Sequence, residues 1–195
     1  MLLNARQLLL IALLGFALLQ PAAAEGLQKA SFNLSASHWL LVDTDKNTLT
    51  VFRGKEKVDF FPHIAIGRGG AKDKEKRGDK RTPRGEFSIA WVNWDSSFHI
   101  FLGIDYPNID HAERGLKQGL IDMDTYQNIL SAYRSGRLPP QNTPLGGNIG
   151  IHGLGRGDPR IHEDFNWTQG CVALTNREIE RLAHWVDIGT RVVIR

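Results

Sequence analysis

The sequence predicts a mostly β fold with one helical insertion and a C-terminal helix. Three observations predict it. Short runs of apolar and β-branched residues recur along the chain and are separated by turn-forming residues. Helical spacing of apolar residues occurs in only two places, within residues 109–145 and after Thr175. Residues 38–195 contain no internal repeat and no long apolar span, so a single domain with a sizeable core is expected.

The clearest strand signals lie in the first half of the chain. His38–Val42 and Thr48–Phe52 flank the turn-forming residues 43–47 and predict a hairpin. Val58–Ile66 predicts a third strand. A further pair, Glu86–Trp94 and Phe98–Ile104, surrounds a polar turn at residues 95–97. These segments predict most of a sheet.

Residues 109–145 form the predicted helical insertion. Asp124 is the expected N-cap of a helix that ends at Arg134, and Gly136 stops it. Its apolar face would contain Tyr126, Ile129, Leu130 and Tyr133. Both a lid over a cleft and a packing element fit this pattern.

The end of the chain predicts a helix followed by a strand. Thr175 and Glu178 form a capping box, in which each residue satisfies a backbone N–H of the first helical turn. The apolar face behind it would contain Ile179, Leu182, Ala183 and Val186. Arg191–Ile194 is the expected last strand.

The first 24 residues predict a signal peptide. Arg6 precedes an apolar run, Leu8–Leu19, and the small residues Ala22–Ala24 follow. The run is short for a membrane span, although an uncleaved anchor is the alternative. Cleavage near Ala24 would leave a short segment, residues 25–37, and export the protein to the periplasm or cell envelope. Export disfavours nucleic acid as a partner, and a monomer is the default for a small exported protein.

A long polar segment, Gly67–Arg84, contains eight basic and three acidic residues. It lacks the spacing of a phosphate-binding P-loop. We expect a solvated surface loop. The functional alternative is contact with an anionic polymer outside the membrane.

Cys171 is the single cysteine of the chain. A lone thiol in an exported protein is buried, bridged to another chain, or kept for its reactivity. His152 lies nineteen residues upstream at the end of a short apolar segment. Because the thiolate is the reactive form, we expect His152 to lower the pKa of the Cys171 thiol. Gly170 would allow a tight turn that exposes the Cys171 side chain and backbone N–H groups.

Three separated motifs resemble the L,D-transpeptidase (YkuD-like) catalytic domain. They are T-P-x-G-x-F at 82–87, I-H-G at 151–153 and T-x-G-C-V at 168–172. The resemblance covers roughly residues 38–194. Longer runs look like one exported branch of that family: G-D-x-R-T-P at 78–83, Y-P-N at 106–108 and W-T-x-G-C-V-A-L-T-N at 167–176.

The resemblance implies that residues 38–195 form a mostly β catalytic domain acting on peptidoglycan stem peptides. Cys171 would attack the carbonyl that precedes the terminal D-alanine, and His152 would act as the base. Gly153 would orient the imidazole through its carbonyl, while the amides of Gly170 and Cys171 would face the oxyanion. Thr168 matches the family's Ser/Thr position. An amine of a second stem would resolve the thioester as a 3→3 cross-link, without a metal or cofactor.

Further residues are candidates for substrate contact: Tyr106, Asn108, Trp167 and Gln169. Gln169 stands where many family members have a second histidine, and Ala173 stands where many have an arginine. These departures leave the acceptor open. Water as the acceptor would give an L,D-carboxypeptidase, and cleavage of an amide to a wall-linked protein would use the same residues.

Two other classes of function remain as alternatives. A metal-assisted hydrolase would take its ligands from His152, His162 and Cys171 with Asp158 or Glu163. No tight motif such as H-E-x-x-H supports it, and His162 is expected in a surface loop. A non-catalytic wall-binding module would keep the fold with an unreactive thiol. A disulfide-exchange enzyme lacks its second cysteine.

Overall fold

The structure, a computed structural model, describes residues 38–195. The strands are β1 His38–Asp43, β2 Thr48–Arg53, β3 Glu56–Phe61, β4 Ala71–Lys72, β5 Thr82–Pro83, β6 Gly85–Ser96, β7 His99–Ile104, β8 Gly150–His152, β9 Val172–Ala173 and β10 Arg191–Ile194. Eight of them form one mixed sheet in the order β3-β2-β1-β10-β6-β7-β8-β9, and β4 pairs separately with β5. The prediction of a mostly β fold is confirmed. The expected signal peptide and the segment 25–37 lie outside the described residues.

The predicted hairpin forms one side of the sheet. β1 and β2 pair antiparallel, with Trp39 opposite Phe52 and their rings stacked 4.5 Å apart. On the other face, Leu40 and Val42 are completely buried, as the period-2 alternation of a half-buried strand requires. β10 then inserts between β1 and β6, parallel to β1 and antiparallel to β6. The C-terminal strand therefore completes the centre of the sheet.

The third strand is shorter than predicted. It ends at Phe61, because Pro62 has no N–H to continue the ladder. Beyond it, Ala65 exchanges two backbone hydrogen bonds with Ala173, of 3.0 and 2.7 Å. The segment predicted as the end of β3 therefore lies beside β9, where it supports the strand that follows Cys171.

The helices are α1 Ile109–Lys117, α2 Met123–Arg134, α3 Pro159–Asp164 and α4 Asn176–Ala183. The cap of α2 is Asp122, whose carboxylate accepts from the N–H of Thr125 at 2.8 Å, and not Asp124, which already lies in the first turn. Ile129 is completely buried and the Tyr133 hydroxyl donates to the Asp105 carbonyl at 2.6 Å. The insertion thus packs against the core.

Within the described range, no helix is long and apolar enough to cross a membrane.

The C-terminal helix begins as the sequence predicts. Thr175 and Glu178 form both halves of the capping box. Ile179 and Leu182 are completely buried on the face that packs against the sheet. The helix therefore holds the short strand β9, and the cysteine before it, against the core.

Candidate active site

The parallel pairing of β8 and β9 brings the two candidate catalytic residues together. Ile151 lies opposite Val172, and His152 lies opposite Ala173. Continued back by one residue, this register places Cys171 opposite Gly150. Because side chains alternate between the faces of a strand, positions 150 and 152 share one face. Cys171, directly before β9, and His152, at the end of β8, therefore lie on the same face of the sheet.

The His152 imidazole is buried and fixed in orientation. Its Nδ1 lies 2.6 Å from the Gly153 carbonyl oxygen, as the expected orienting role requires. The Phe98 and Phe101 rings pack against it, with centroids 4.3 and 5.7 Å away. Burial lowers the pKa of His152 to about 4, although the hydrogen bond to Gly153 opposes that change. At neutral pH the ring is therefore uncharged and able to accept a proton.

The segment after His152 is held by a residue that the sequence analysis did not single out. The Asn176 side-chain oxygen accepts from the N–H groups of Leu154 and Gly155, at 2.8 and 2.9 Å. Its amide group donates back to the Gly155 carbonyl at 2.8 Å. A Cβ at Gly153 would lie only 2.7 Å from the Asn176 oxygen, so this packing requires glycine there. In the sequence, the position of Asn176 at the end of the W-T-x-G-C-V-A-L-T-N run was the signal that could have identified it.

Cys171 is half-buried. Its thiol donates to the Asn148 carbonyl, with a sulfur–oxygen distance of 3.6 Å, and not to His152. Burial raises the pKa of the Cys171 thiol to about 11, against the opposing effects of the Gly150 backbone and the Lys74 charge. The expectation that His152 lowers this pKa is wrong, because a neutral imidazole contributes no positive charge. The resting pair is a neutral thiol and a neutral imidazole.

The turn before Cys171 is closed by Thr168. Its hydroxyl donates to the Cys171 carbonyl at 2.6 Å and accepts from the Gly170 N–H at 3.1 Å. Gly170 has φ +135°, and a Cβ there would lie 2.7 Å from the Arg81 carbonyl oxygen. The Gly170 amide is thus occupied and does not face the site of an oxyanion, contrary to expectation. The Cys171 N–H, in contrast, donates to no acceptor in the described part of the chain.

The four candidates for substrate contact divide into two pairs. Trp167 packs edge-on to His152, with ring centroids 5.9 Å apart, and Gln169 is exposed beside Cys171. Tyr106 is completely buried and its hydroxyl donates to the Leu145 carbonyl. Asn108 is buried as the N-cap of α1. Tyr106 is therefore a structural residue that a substrate does not reach, which corrects its assignment. Asn108, 8% exposed, caps the helix and does not line the cavity beside Cys171.

A cavity of about 270 Å³ opens beside the thiol. Cys171 and Gln169 line one side, and residues 146–149 line another. Lys74, Arg77 and Gly78 of the basic segment complete it. The prediction of a solvated surface loop is thus wrong in part: β4 pairs with β5, and Lys74 is only 2% exposed.

His162 is buried, at 2% exposure, inside α3, so its assignment to a surface loop is wrong. The short helix forms because Asp158 caps it and Pro159 fits its first position. Residues 38–195 contain no group of three or more His, Cys, Asp or Glu side chains arranged to hold a metal ion. The ligand set considered for a metal-assisted hydrolase is therefore not assembled there.

A family model described as the L,D-transpeptidase catalytic domain, YkuD, matches residues 37–194. The chain belongs to this family. The match includes both strands of the site and the basic segment that lines the cavity. No curated protein matches the chain in sequence.

Solved structures share the fold of this L,D-transpeptidase domain. The helical cell shape determining protein Pgp2 from Campylobacter jejuni is 18% identical, with a TM-score of 0.54 over 83% of this chain and 51% of that one. Bd1075 from Bdellovibrio bacteriovorus is 19% identical, with a TM-score of 0.52 over 82% of this chain and 48% of that one. The chain thus spans about half the length of these two proteins.

Proposed function

We propose that this member of the L,D-transpeptidase family is a peptidoglycan transpeptidase with Cys171 as its nucleophile. The observation that carries the proposal is the register of β8 and β9, which places Cys171, the residue just before β9, on the same face as His152. The fixed orientation of the His152 imidazole and the adjoining cavity support it. Family membership supports stem peptides as the substrate class.

The first half of the reaction forms a thioester. The Cys171 sulfur attacks the carbonyl carbon that precedes the terminal D-alanine of a tetrapeptide stem, and His152 Nε2 takes the thiol proton. Because both groups are neutral at rest, attack and proton transfer are coupled. The Cys171 N–H is the free donor for the developing oxyanion. When the carbon–nitrogen bond breaks, His152 returns the proton to the amine of the departing D-alanine.

The second half transfers the acyl group. The amine of a neighbouring stem attacks the thioester, His152 accepts a proton from that amine, and the thiol leaves protonated. The product is a 3→3 cross-link, or an exchanged stem when a free D-amino acid is the acceptor. If water were the acceptor instead, the same residues would give a tripeptide.

We also propose that the protein works in the periplasm or cell envelope. The signal-peptide pattern of residues 1–24 supports this location. Export would place the enzyme in the same compartment as its proposed substrate, peptidoglycan.

The test is mass spectrometry of products from the purified protein and a disaccharide-tetrapeptide, with and without an added D-amino acid. Dimers joined 3→3, or exchange of the terminal D-alanine, would support a transpeptidase, and both must disappear in Cys171→Ala. Tripeptide alone would indicate a carboxypeptidase. No conversion would contradict the proposal and favour an amidase acting on a wall-linked protein or a wall-binding module.

A further inference from the structure

The cavity beside Cys171 has a buried ammonium group in its wall. Lys74 is 2% exposed, and its Nζ donates to the Asp79 carboxylate and to the Lys76 carbonyl, the latter at 3.3 Å. A Cβ built on Gly146, another wall residue, would lie 3.9 Å from this Nζ. An ammonium has three N–H donors, so two bonds leave one donor unused. Lys74 can therefore make a further hydrogen bond at the cavity.

Asp79 holds Lys74 in place and has no capacity left for a ligand. Besides Lys74, its two oxygens accept from the backbone N–H groups of Glu75, Lys76 and Arg81, at 2.9, 3.2 and 3.1 Å. Burial alone would raise the pKa of Asp79, but these hydrogen bonds outweigh it and keep the pKa below its ordinary value. The loop is thus ordered around one ionised carboxylate.

Arg77 supplies a second cation at the cavity. Its backbone N–H donates to the Pro144 carbonyl at 2.7 Å, and its guanidinium donates to the Thr143 carbonyl at 3.3 Å. Both contacts anchor it to the segment that leads into the cavity wall. Its side chain forms no ion pair with any carboxylate in residues 38–195. Arg77 is exposed to solvent, and the hydrogen bond to Thr143 holds its charge near the cavity without a counter-ion from residues 38–195.

Other basic residues of the same loop are neutralised or lie elsewhere. Arg81 pairs with Glu75 at 2.7 Å, and Arg84 pairs with Asp45 at 2.9 Å. Lys72 is exposed in β4 and does not line the cavity. Of the two cations that line the cavity, Lys74 is the one whose charge acts on the Cys171 thiol, and Arg77 is the one that no carboxylate of residues 38–195 neutralises.

We propose that Lys74 and Arg77 form a cationic subsite that binds a carboxylate of the substrate next to Cys171. The inference rests on the proposed function and names its substrate class, a stem peptide with a free carboxylate beside the scissile bond. A guanidinium matches a carboxylate with two parallel hydrogen bonds, and partial enclosure strengthens them. The carboxylate is that of the leaving D-amino acid or, in a stem whose third residue is diaminopimelate, that of the diaminopimelate side chain.

The test uses three stem tetrapeptides: the free acid, its C-terminal amide, and one with the diaminopimelate carboxylate amidated. Wild type is compared with Arg77→Gln and with Lys72→Gln, a matched control from the same loop. Lys74 stays intact, because its removal would leave Asp79 buried without its cation. For the free acid, Arg77→Gln is expected to raise KM about tenfold or more with little change in kcat.

The pattern across substrates identifies the carboxylate. The rise in KM caused by Arg77→Gln must disappear for the amidated stem that lacks the carboxylate bound by the subsite. An equal loss with all three stems would overturn the subsite. So would a change in KM for Arg77→Gln no larger than that for Lys72→Gln.

Binding to Cys171→Ala separates this proposal from the proposed function, because binding requires no turnover. Calorimetry should show the free acid binding about tenfold tighter than one of the amides, with the difference reduced by salt and much smaller in Cys171→Ala/Arg77→Gln, which keeps Lys74. If calorimetry gives this result but the wild-type protein turns over no substrate, the subsite is supported and the proposed transpeptidase activity is rejected. Equal affinities for all three stems would reject the subsite even if wild type makes cross-links.

Discussion

The Nδ1 atom of His152 lies 2.6 Å from the carbonyl oxygen of Gly153. A carbonyl can only accept a hydrogen bond, so Nδ1 carries the proton and Nε2 keeps its lone pair. Burial lowers the pKa of His152 to about 4, and this neutral tautomer therefore prevails at neutral pH. The relationship fixes the direction of proton transfer in the proposed reaction, from the Cys171 thiol to His152 Nε2.

Replacement of His152 tests that direction. His152→Gln removes the base and is expected to lower the single-turnover acylation rate by about 10²- to 10⁴-fold. His184→Gln, on the exposed surface of the molecule, is the matched control and should act like wild type. Acylation by His152→Gln within twofold of wild type would rule out the assigned base.

The pH dependence of thiol alkylation tests the neutral resting pair. Because burial raises the pKa of Cys171 to about 11, the rate with iodoacetamide should keep rising as the pH increases toward that value. The profile should be little changed in His152→Gln, since a neutral ring supplies no charge. A plateau already reached near pH 7 in wild type would indicate a thiolate–imidazolium pair and contradict the structure.

Substitution of Asn176 tests the support behind His152. Asn176→Ala removes three hydrogen bonds to residues 154–155, which should lower the free energy of unfolding by about 1–3 kcal/mol. The displaced segment should also reduce kcat more than it changes KM. Arg177→Ala, at the exposed neighbouring position, is the control for both measurements. A stable variant with unchanged kcat would show that the imidazole does not depend on Asn176.

The ion pair within the basic loop tests how that loop is ordered. Asp79→Asn leaves Lys74 buried without its counter-charge, and is expected to lower the free energy of unfolding by about 3–5 kcal/mol. Asp73→Asn, in the same loop but with a side chain 65% exposed, should cost under about 1 kcal/mol. Chemical denaturation measures both, and equal losses would contradict the structural role of Asp79.

Two of the buried histidines, His152 and His111, predict how stability depends on pH. Burial lowers the pKa of His152 and His111 to about 4, from an ordinary value of 6.5. Between these values the unfolded chain binds protons that the folded protein does not, so stability is complete above pH 6.5 and falls as the pH approaches 4. Each histidine contributes a slope of up to about 1.4 kcal/mol per pH unit. Denaturation midpoints at pH 7 and pH 5 check this, and a flat profile would contradict it.

Local signals predicted the elements of the fold well, because capping and alternation act over a few residues. The capping box at Thr175 and the last strand Arg191–Ile194 occur where the sequence places them. The wrong cap was assigned to α2 because two nearby aspartates can each cap a helix, and the structure uses Asp122 and not Asp124. Pro62 was the overlooked signal that ends β3.

The site was predictable only in part. Cys171 and His152 stand out because few residue types can perform acyl transfer. The roles of Lys74 and Asn176 depend on partners that only the folded chain brings close, in the ordered loop and in the segment after His152. Tyr106 was wrongly predicted to contact substrate, because its place in a motif does not indicate whether the side chain is buried.

The covalent intermediate is the most direct measure of the central claim, that Cys171 is the acylated nucleophile. Intact-protein mass spectrometry after rapid mixing with tetrapeptide, without an acceptor amine, should show an adduct equal in mass to the stem minus alanine. Peptide mapping should place it on Cys171, and hydroxylamine should remove it. Release of D-alanine with Cys171 unmodified at all times, or an adduct that persists in Cys171→Ala, would contradict the claim.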